Sequence, residues 1–287
     1  MVLKLRSISF DDNQPLVMAI VNRTPDSFYD QGSTYAEEAA WDRVAEVVEQ
    51  GADIVDIGGV KAGYGAAVSA EEEIDRVAGF VARVRGAYPQ LAISVDTWRA
   101  SVARAVLAEG ADLINDAWGG HDPGLVDVVA EFGAAVVCTH AGGLSPRTDP
   151  HRQEYDDVMA SMLSSVLGYA DRARAAGVAW ESIIIDPAHD FAKNTFHSLE
   201  TTRRLGEMVA TGYPVLVSLS NKDFIGETLG RETGERLPGT LAATAISAWL
   251  GARIYRAHNV RETRDVIDMS WSIAGRRPPY RAIRGLS

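Results

Sequence analysis

The chain has 287 residues, of which 46% are hydrophobic and 23% charged, as in an ordinary globular protein. Its net charge of −11 argues against nucleic-acid binding, because that function uses basic surfaces. No stretch approaches the length of a membrane span, and residues 1–7 lack the apolar run of a signal peptide, so we expect neither a membrane nor a secretory role.

The chain begins with alternating apolar and polar residues over positions 3–10, which predict a small strand at the lower end of the fold before a turn at 11–15. Eight short apolar segments then follow, typical of buried strands, and each leads into polar residues. The segments are Val17–Val21 before Asn22, Ile54–Val55 before Asp56, Ile93–Val95 before Asp96, Leu113–Ile114 before Asn115, Ala135–Val137 before His140, Ile183–Ile185 before Asp186, Val215–Val217 before Ser220 and Lys222, and Arg253–Tyr255 before Arg256 and His258. The single cysteine, Cys138, follows the fifth of these segments directly, and the absence of a disulfide partner fits a reducing cytoplasm.

Helical patterns separate these strands. Capping boxes at 34–37 and 69–72 predict the starts of the first two helices. The first helix has an apolar stripe of Trp41, Val44, Ala45, Val48 and Gly51. Eight strand–helix units predict a (β/α)8 TIM barrel, a single α/β domain over residues 1–287, with 1–15 as an N-terminal strand and turn and 276–287 as an extended basic tail. Because the carboxyl ends of the strands converge on one face, their polar residues should share one pocket.

Eight motifs lie at the predicted strand ends and run in order between about residue 16 and residue 265. They are Met18–Phe28, Asp56–Gly59, Ser94–Thr97, Ile114–Asp116, Asp186–Pro187, Phe191–Lys193, Ser220–Lys222 and Arg256–Asn259. Together they resemble the dihydropteroate synthase family. The resemblance implies a (β/α)8 barrel, usually dimeric, that condenses a hydroxymethyl-dihydropterin pyrophosphate with p-aminobenzoate on the way to folate.

Four side chains supply the groups that a pterin ring requires: Asp96, Asn115, Asp186 and Lys222. Carboxylates accept from the N–H groups of the ring, an amide both donates and accepts, and a cation meets its carbonyl oxygen. The resemblance implies that these positions bind the pterin. An alternative reading is that Asp186 and Lys222 form a structural ion pair, which would still line the pocket.

The resemblance also implies a diphosphate site. Arg256 and His258 match its anion-binding pair, and Asn22 matches a residue close to the diphosphate and its Mg²⁺. Cations or a metal are needed because the departing diphosphate gains negative charge. Asn259 stands where the family usually carries aspartate. Arg23 replaces a family valine, and it either meets the diphosphate or projects into solvent.

The loop after the second strand departs most from the family pattern. Val60, Lys61, Ala62, Gly63 and Tyr64 stand where the family has Glu-Ser-(Thr/Ser)-Arg-Pro. In the family the arginine contacts the diphosphate and the proline lies near the aminobenzoate. Loss of the arginine contact removes about 2–4 kcal/mol of transition-state stabilisation. We therefore assign no catalytic residue in this loop and expect it to be the main cause of impaired synthase chemistry.

The aminobenzoate side of the site is also changed. The resemblance assigns Phe191, Ser220, Asp190 and Asn221 to this side. Ala188 and Asp190 replace two family glycines, and Asn221 replaces an arginine. One negative charge is gained and one positive charge is lost where an anionic benzoate would lie, so both changes disfavour that anion.

Three functions are compatible with the sequence. We favour a dihydropteroate synthase homologue that keeps a pterin pocket but lacks most or all synthase activity. The second is an active synthase that uses Arg23 and Lys61 instead of the lost groups, and the third is an enzyme acting on a different pterin or another heterocycle. The expected partner is a small pterin-type molecule, which the third function would extend to another heterocycle. We also expect a homodimer through the last two helices, because their apolar and small residues exceed what packing on one barrel needs. These residues are Leu241, Ala245, Ala248, Trp249, Gly251, Met269, Trp271 and Ile273.

Overall fold

Eight parallel strands form a barrel in the computed structural model of the protein, which describes residues 2–24, 37–61, 63, 65–148 and 153–284. The strands are β3 (Leu16–Asn22), β4 (Ile54–Gly58), β5 (Ala92–Asp96), β6 (Leu113–Asp116), β7 (Ala135–Thr139), β8 (Ile183–Asp186), β9 (Leu216–Ser218) and β10 (Ile254–Ala257). They are ordered β8-β7-β6-β5-β4-β3-β10-β9, and a parallel bridge between Ile185 and Val215 joins the two edges. The predicted (β/α)8 barrel is confirmed.

Helices follow the strands around the outside of the barrel. They are α1 (Glu37–Glu49), α2 (Ala70–Ala87), α3 (Ala100–Ala108), α4 (Leu125–Glu131), α5 (Val158–Ala175), α6 (Thr195–Arg203), α7 (Leu205–Val209), α8 (Asp223–Leu229), α9 (Leu237–Leu250) and α10 (Val260–Ile273). Ser69 caps α2 as predicted, because its side chain accepts the amide of Glu72. The predicted stripe of α1 is right at Val44, which is buried, and at Trp41 and Val48, which pack against the core. It is wrong at Ala45, which is exposed, and it missed the buried Ala40 and Val47. The other predicted capping box falls on residues 34–36, which lie outside the described residues.

A two-stranded hairpin fills the lower end of the barrel. Its strands, β1 (Leu3–Leu5) and β2 (Ile8–Phe10), pair antiparallel. Leu3, Leu5 and Phe10 pack against Met18 and Ile54, which point into the barrel. The predicted plug is therefore present, although it consists of two strands because the chain reverses between them.

Alternation along the strands divides the barrel interior into an apolar lower layer and a polar upper layer. In β4, Ile54 belongs to the apolar cluster around the hairpin, whereas Asp56 is a buried polar residue. In β5 the corresponding residues are Ala92 and Ser94. Residues two apart on a strand point to the same side, so both layers face inward. Because β4 continues to Gly58, Asp56 lies inside the barrel, and the prediction that it ends a strand is wrong.

The last two helices expose part of the predicted apolar surface. Three of its large side chains are more than half exposed: Trp249, Met269 and Ile273. Ala248 and Trp271 are instead buried within the monomer, where the indole N–H of Trp271 donates to the Tyr255 hydroxyl at 3.2 Å, so these two were wrongly assigned to the surface. Residues 276–284 form no helix or strand, in agreement with the predicted tail. None of the helices in the described ranges is both long and apolar enough to cross a membrane.

Candidate functional site

A cavity of about 910 Å³ opens at the C-terminal face of the barrel. Six of the residues predicted at strand ends line it together: Asn22, Asp96, Ser220, Lys222, Arg256 and His258. Asn115 and Asp186 are buried beside it and are not among its lining residues in the described part of the chain. Barrel enzymes carry their active sites on this face, because the loops that follow the strands converge there.

A buried hydrogen-bond network forms the floor of the cavity. The Asp56 carboxylate accepts from Ser94 Oγ at 2.6 Å, from Asn115 Nδ2 at 3.1 Å and from Arg256 Nε at 2.6 Å. Arg256 Nη2 also donates to Asp96 Oδ2 at 3.2 Å. The guanidinium is thus fixed between two carboxylates. Asp56 supports the site without lining the cavity, a role that the sequence did not reveal because the length of β4 was not predicted.

Burial changes the protonation of the carboxyls at the floor. Desolvation raises the pKa of Asp96 to about 7, although the charge of Arg256 opposes the shift. Desolvation also raises the pKa of Asp186 to about 6, against a hydrogen bond of 2.7 Å from the Ala188 amide. Both carboxyls therefore change charge close to neutral pH, and each accepts hydrogen bonds from a ligand best when ionised.

Lys193 is a buried cation whose role the sequence did not reveal. Its Nζ donates to His140 Nδ1 at 2.8 Å, to the carbonyl oxygen of Ala188 at 3.2 Å and to that of Phe191 at 3.0 Å. Three acceptors match the three N–H groups of an ammonium. Burial nevertheless lowers the pKa of Lys193 to about 7. His140 is 1% exposed and serves Lys193, so its predicted place in the shared pocket is wrong.

Aromatic side chains form one wall of the cavity. Phe191 lines it, with the Trp118 ring centroid 5.4 Å from its own and Lys222 Nζ 4.8 Å from its centroid. Trp118 and Val60 also line the cavity, and together with Trp98 they belong to one buried apolar cluster. Val60, which is 6% exposed, stands where the family carries glutamate. The sequence indicated only that a family glutamate is missing at Val60. In the structure the Val60 side chain packs in this cluster and so holds the loop after β4 in place.

The rest of that loop lies along the cavity. Lys61 and Gly63 line it, while Ala62 and Tyr64 are outside the described residues. Arg147, from the loop after β7, donates through Nε to the Gly63 carbonyl oxygen at 3.1 Å and through Nη1 to that of Ala66. An arginine from a different loop therefore holds the changed segment by its backbone.

Arg23 packs on α2. Its Nε donates to the carbonyl oxygen of Arg76 at 3.2 Å, and its guanidinium carbon lies 5.2 Å from the centroid of the Phe80 ring. Neither predicted position, on the diphosphate or projecting into solvent, anticipated this packing. The long side chain packs along α2 because it finds there both a carbonyl acceptor and an aromatic face.

The residues of the cavity do not by themselves fit a magnesium ion. Mg²⁺ takes octahedral oxygen ligands, commonly one or two carboxylates together with water and phosphate. Within the described ranges no three acidic, histidine or cysteine side chains come together as a metal cluster. Asn22 offers only an amide oxygen, and Asp56 and Asp96 are both ion-paired with Arg256. A metal at Asn22 stays a prediction.

The aminobenzoate side is organised by Asp190. Its Oδ2 accepts from the backbone amides of Asp223 at 2.6 Å and Phe224 at 3.3 Å, at the start of α8. Its Oδ1 accepts from Ser198 Oγ at 3.0 Å. The added carboxylate thus caps a helix as well as lining the cavity. Beside it, Ser220 Oγ accepts from the backbone amide of His258 at 3.2 Å.

Comparisons with known proteins agree with this geometry. The sequence profile described as pterin binding enzyme matches residues 18–258. Over 279 residues the chain is 56% identical to inactive dihydropteroate synthase 2 of Mycobacterium tuberculosis, covering 96% of this chain and 88% of that protein. The Yersinia pestis dihydropteroate synthase solved with a sulfonamide drug has a TM-score of 0.91 at 32% identity, covering 96% of this chain and 100% of that chain. The Coxiella burnetii enzyme solved with pteroic acid has a TM-score of 0.86 at 30% identity, covering 96% and 98%.

Proposed function

This chain belongs to the pterin-binding enzyme family, and we propose that it is a dihydropteroate synthase homologue that binds a pterin but has lost most or all synthase activity. One observation carries the proposal. Asp96 and Arg256 remain in a connected buried network at the floor of the cavity, whereas the loop lining its edge has Gly63 where the family has arginine. The groups that recognise a bound ring are kept, and a group that stabilises the reaction is missing.

We assign the pterin to the floor of the cavity. Asp96 and Asp186 supply carboxylates for its N–H groups, Asn115 an amide, and Lys222 a cation for its carbonyl oxygen. Lys222 lies against Phe191, which gives the flat ring an aromatic neighbour. Burial of these groups supports recognition, because hydrogen bonds formed away from water discriminate strongly against ligands that lack the partner.

The synthase reaction would require more than this recognition. The bond between the pterin methylene and the diphosphate oxygen breaks, and the diphosphate leaves with the electron pair. The amine nitrogen of aminobenzoate bonds to that carbon and then releases a proton to solvent. Arg256 and His258 can meet the diphosphate from one side. The loop after β4 offers Lys61 but no arginine, so stabilisation of the leaving group is weakened. The alternative of an active synthase relies on Arg23 and Lys61, and the packing of Arg23 on α2 weakens it.

Calorimetry combined with a steady-state assay tests the proposal. We expect 6-hydroxymethylpterin to bind the full chain, and turnover of the pterin pyrophosphate with p-aminobenzoate to be at least about 30-fold below that of an active family enzyme assayed in parallel. Asp186→Ala should abolish pterin binding, whereas Asp127→Ala, at an exposed position of α4, should not change it. Equal turnover, or no pterin binding by folded protein, would contradict the proposal.

A homodimer is the second part of the proposal. Trp249 of α9 and Met269 and Ile273 of α10 are 57%, 62% and 64% exposed, and the two helices pack side by side. Large apolar side chains grouped in this way favour association with a second copy. Light scattering at micromolar concentration should give twice the monomer mass, and Trp249→Glu should reduce it to the monomer.

We also retain the cytoplasm as the proposed location, because the single thiol, Cys138, is buried and unpaired.

A further inference from the structure

The backbone amides at the start of α8 are satisfied from within the protein. Those of Asp223 and Phe224 donate to the Asp190 carboxylate. The next two, at 225 and 226, donate to the carbonyl oxygen of Lys222 at 3.2 and 3.3 Å. The first four amides of a helix are the ones that lack partners inside it. A ligand carboxylate that approached this turn would therefore find its place occupied by Asp190.

The charges around this turn also oppose an anion. Asp190, Asp223 and Glu227 all line the outer part of the cavity. The Asp223 carboxylate is 2.7 Å from Arg236 Nη1, so that pair is balanced. Lys193 and Lys222 line the same part of the cavity, and Asp190 is among the nearest charges of both. Asp190 itself lies against the amides of this turn, so a further carboxylate placed there would meet its negative charge at short range.

An uncharged acceptor, in contrast, would meet suitable donors. Asn221 lines the cavity and is 8% exposed, and its Nδ2 has no acceptor among the residues that the structure describes. Leaving such a buried donor without a partner is costly, so a ligand oxygen that reached it would be favoured. Ser220 lines the cavity next to it, and because its oxygen accepts a backbone amide, its hydroxyl proton is available to donate.

We propose that the outer cavity selects a pterin whose second ring ends in an uncharged acceptor, such as a carboxamide, and disfavours the carboxylate found in pteroic acid. This inference rests on the proposed function, since a pterin must occupy the floor for a second ring to reach Asn221. The chain would then differ from the synthases in the charge of the ligand that it accepts as well as in its chemistry.

Calorimetry with three ligands tests the inference. The probes are 6-hydroxymethylpterin, pteroic acid and the carboxamide of pteroic acid, which is nearly isosteric with the acid but uncharged. We expect the full chain to bind the carboxamide about tenfold more tightly than the acid. In Asp190→Asn this preference should fall to about twofold or less, because asparagine keeps an acceptor for the two amides and tolerates the left-handed φ of 69° at this position. Asp127→Asn, with the same charge change at an exposed position of α4, should keep the tenfold preference.

The outcomes separate the two proposals. Equal affinity for the acid and the carboxamide in the wild-type chain would overturn the inference while leaving pterin binding intact, and this comparison needs no variant. An unchanged preference in Asp190→Asn would show that Asp190 does not set the selectivity. If 6-hydroxymethylpterin itself fails to bind, the proposed function is wrong and this inference falls with it.

Discussion

The floor and the edge of the cavity are built differently. On the floor, Asp56 and Asn115 lie on strands, are buried, and join Arg256 in one hydrogen-bonded network. At the edge, the loop after β4 is held by Val60 in an apolar cluster and by Arg147 through backbone carbonyls. Strands fix the geometry that recognises a ground-state ligand, and loops supply groups that act in the transition state. The contrast shows how binding can persist while catalysis is lost.

The largest expected effect is on the stability of the floor. Asp56→Ala should lower the free energy of unfolding by about 3–5 kcal/mol, because it leaves the partly buried Arg256 without its shorter ion pair and removes the buried acceptor of Ser94 and Asn115. Denaturant unfolding measures this loss. Asp127→Ala, at an exposed position, should cost less than about 0.5 kcal/mol. A loss below about 1 kcal/mol for Asp56→Ala would mean that the network is not the support we describe.

The next effect concerns catalysis at the edge. The combined change Lys61→Ser, Ala62→Thr, Gly63→Arg and Tyr64→Pro should raise synthase turnover by about 30-fold or more, since it restores the cation that meets the leaving group. A side chain at Gly63 is tolerated, because its Cβ would lie 3.6 Å from the nearest neighbouring atom. Asp190→Gly with Asn221→Arg should raise turnover less. If only that pair restores activity, the loss of synthase function lies on the aminobenzoate side.

Val60 was left out of that variant because the structure gives it a new role. Val60→Glu should destabilise the protein by about 2–3 kcal/mol, since it places a carboxylate in the apolar cluster with Trp98 and Trp118. Thermal unfolding above pH 7 measures the effect, with Lys61→Glu as a matched control at a partly exposed position. Equal stability of the two variants would show that the loop rearranges easily and that the family sequence can be restored whole.

A smaller effect follows from protonation at the floor. Because the pKa of Asp96 is raised to about 7 and its ionised form accepts the N–H groups of a pterin, affinity should rise with pH up to about 7 and then level off. The gain between pH 6 and pH 8 should be about tenfold. Calorimetry at several pH values tests this, and Asp96→Asn should bind more weakly with a flatter profile. An affinity that falls over this range would show that the neutral carboxyl is the binding form.

The sequence predicted the barrel and most of the floor, because strand periodicity and strand-end motifs are local signals. It could not show that β4 continues past Asp56, since the polar residue there is satisfied only by Ser94, Asn115 and Arg256 from other strands. The role of Arg147 was likewise hidden, because its acceptors lie more than 80 residues away in the chain. Contacts between loops form only when the barrel has closed, so no pattern of neighbouring residues in the sequence can predict them.

The smallest expected effect lies at Ala188, in the loop that follows β8. Alanine there has a φ of 51°, and Asp190 has a φ of 69°, so the backbone keeps a left-handed shape at the two positions where the family has glycine. Ala188→Gly should stabilise the protein by about 0.5 kcal/mol, because relief of about 1–2 kcal/mol of strain exceeds the entropic cost of glycine, about 0.5–1 kcal/mol. Ala45→Gly, at an exposed position in α1, should instead destabilise by about 1 kcal/mol. Denaturant unfolding of the two variants should therefore give changes of opposite sign. Two losses of similar size would mean that the segment after β8 carries no strain, and that its shape does not depend on the glycines that the family uses.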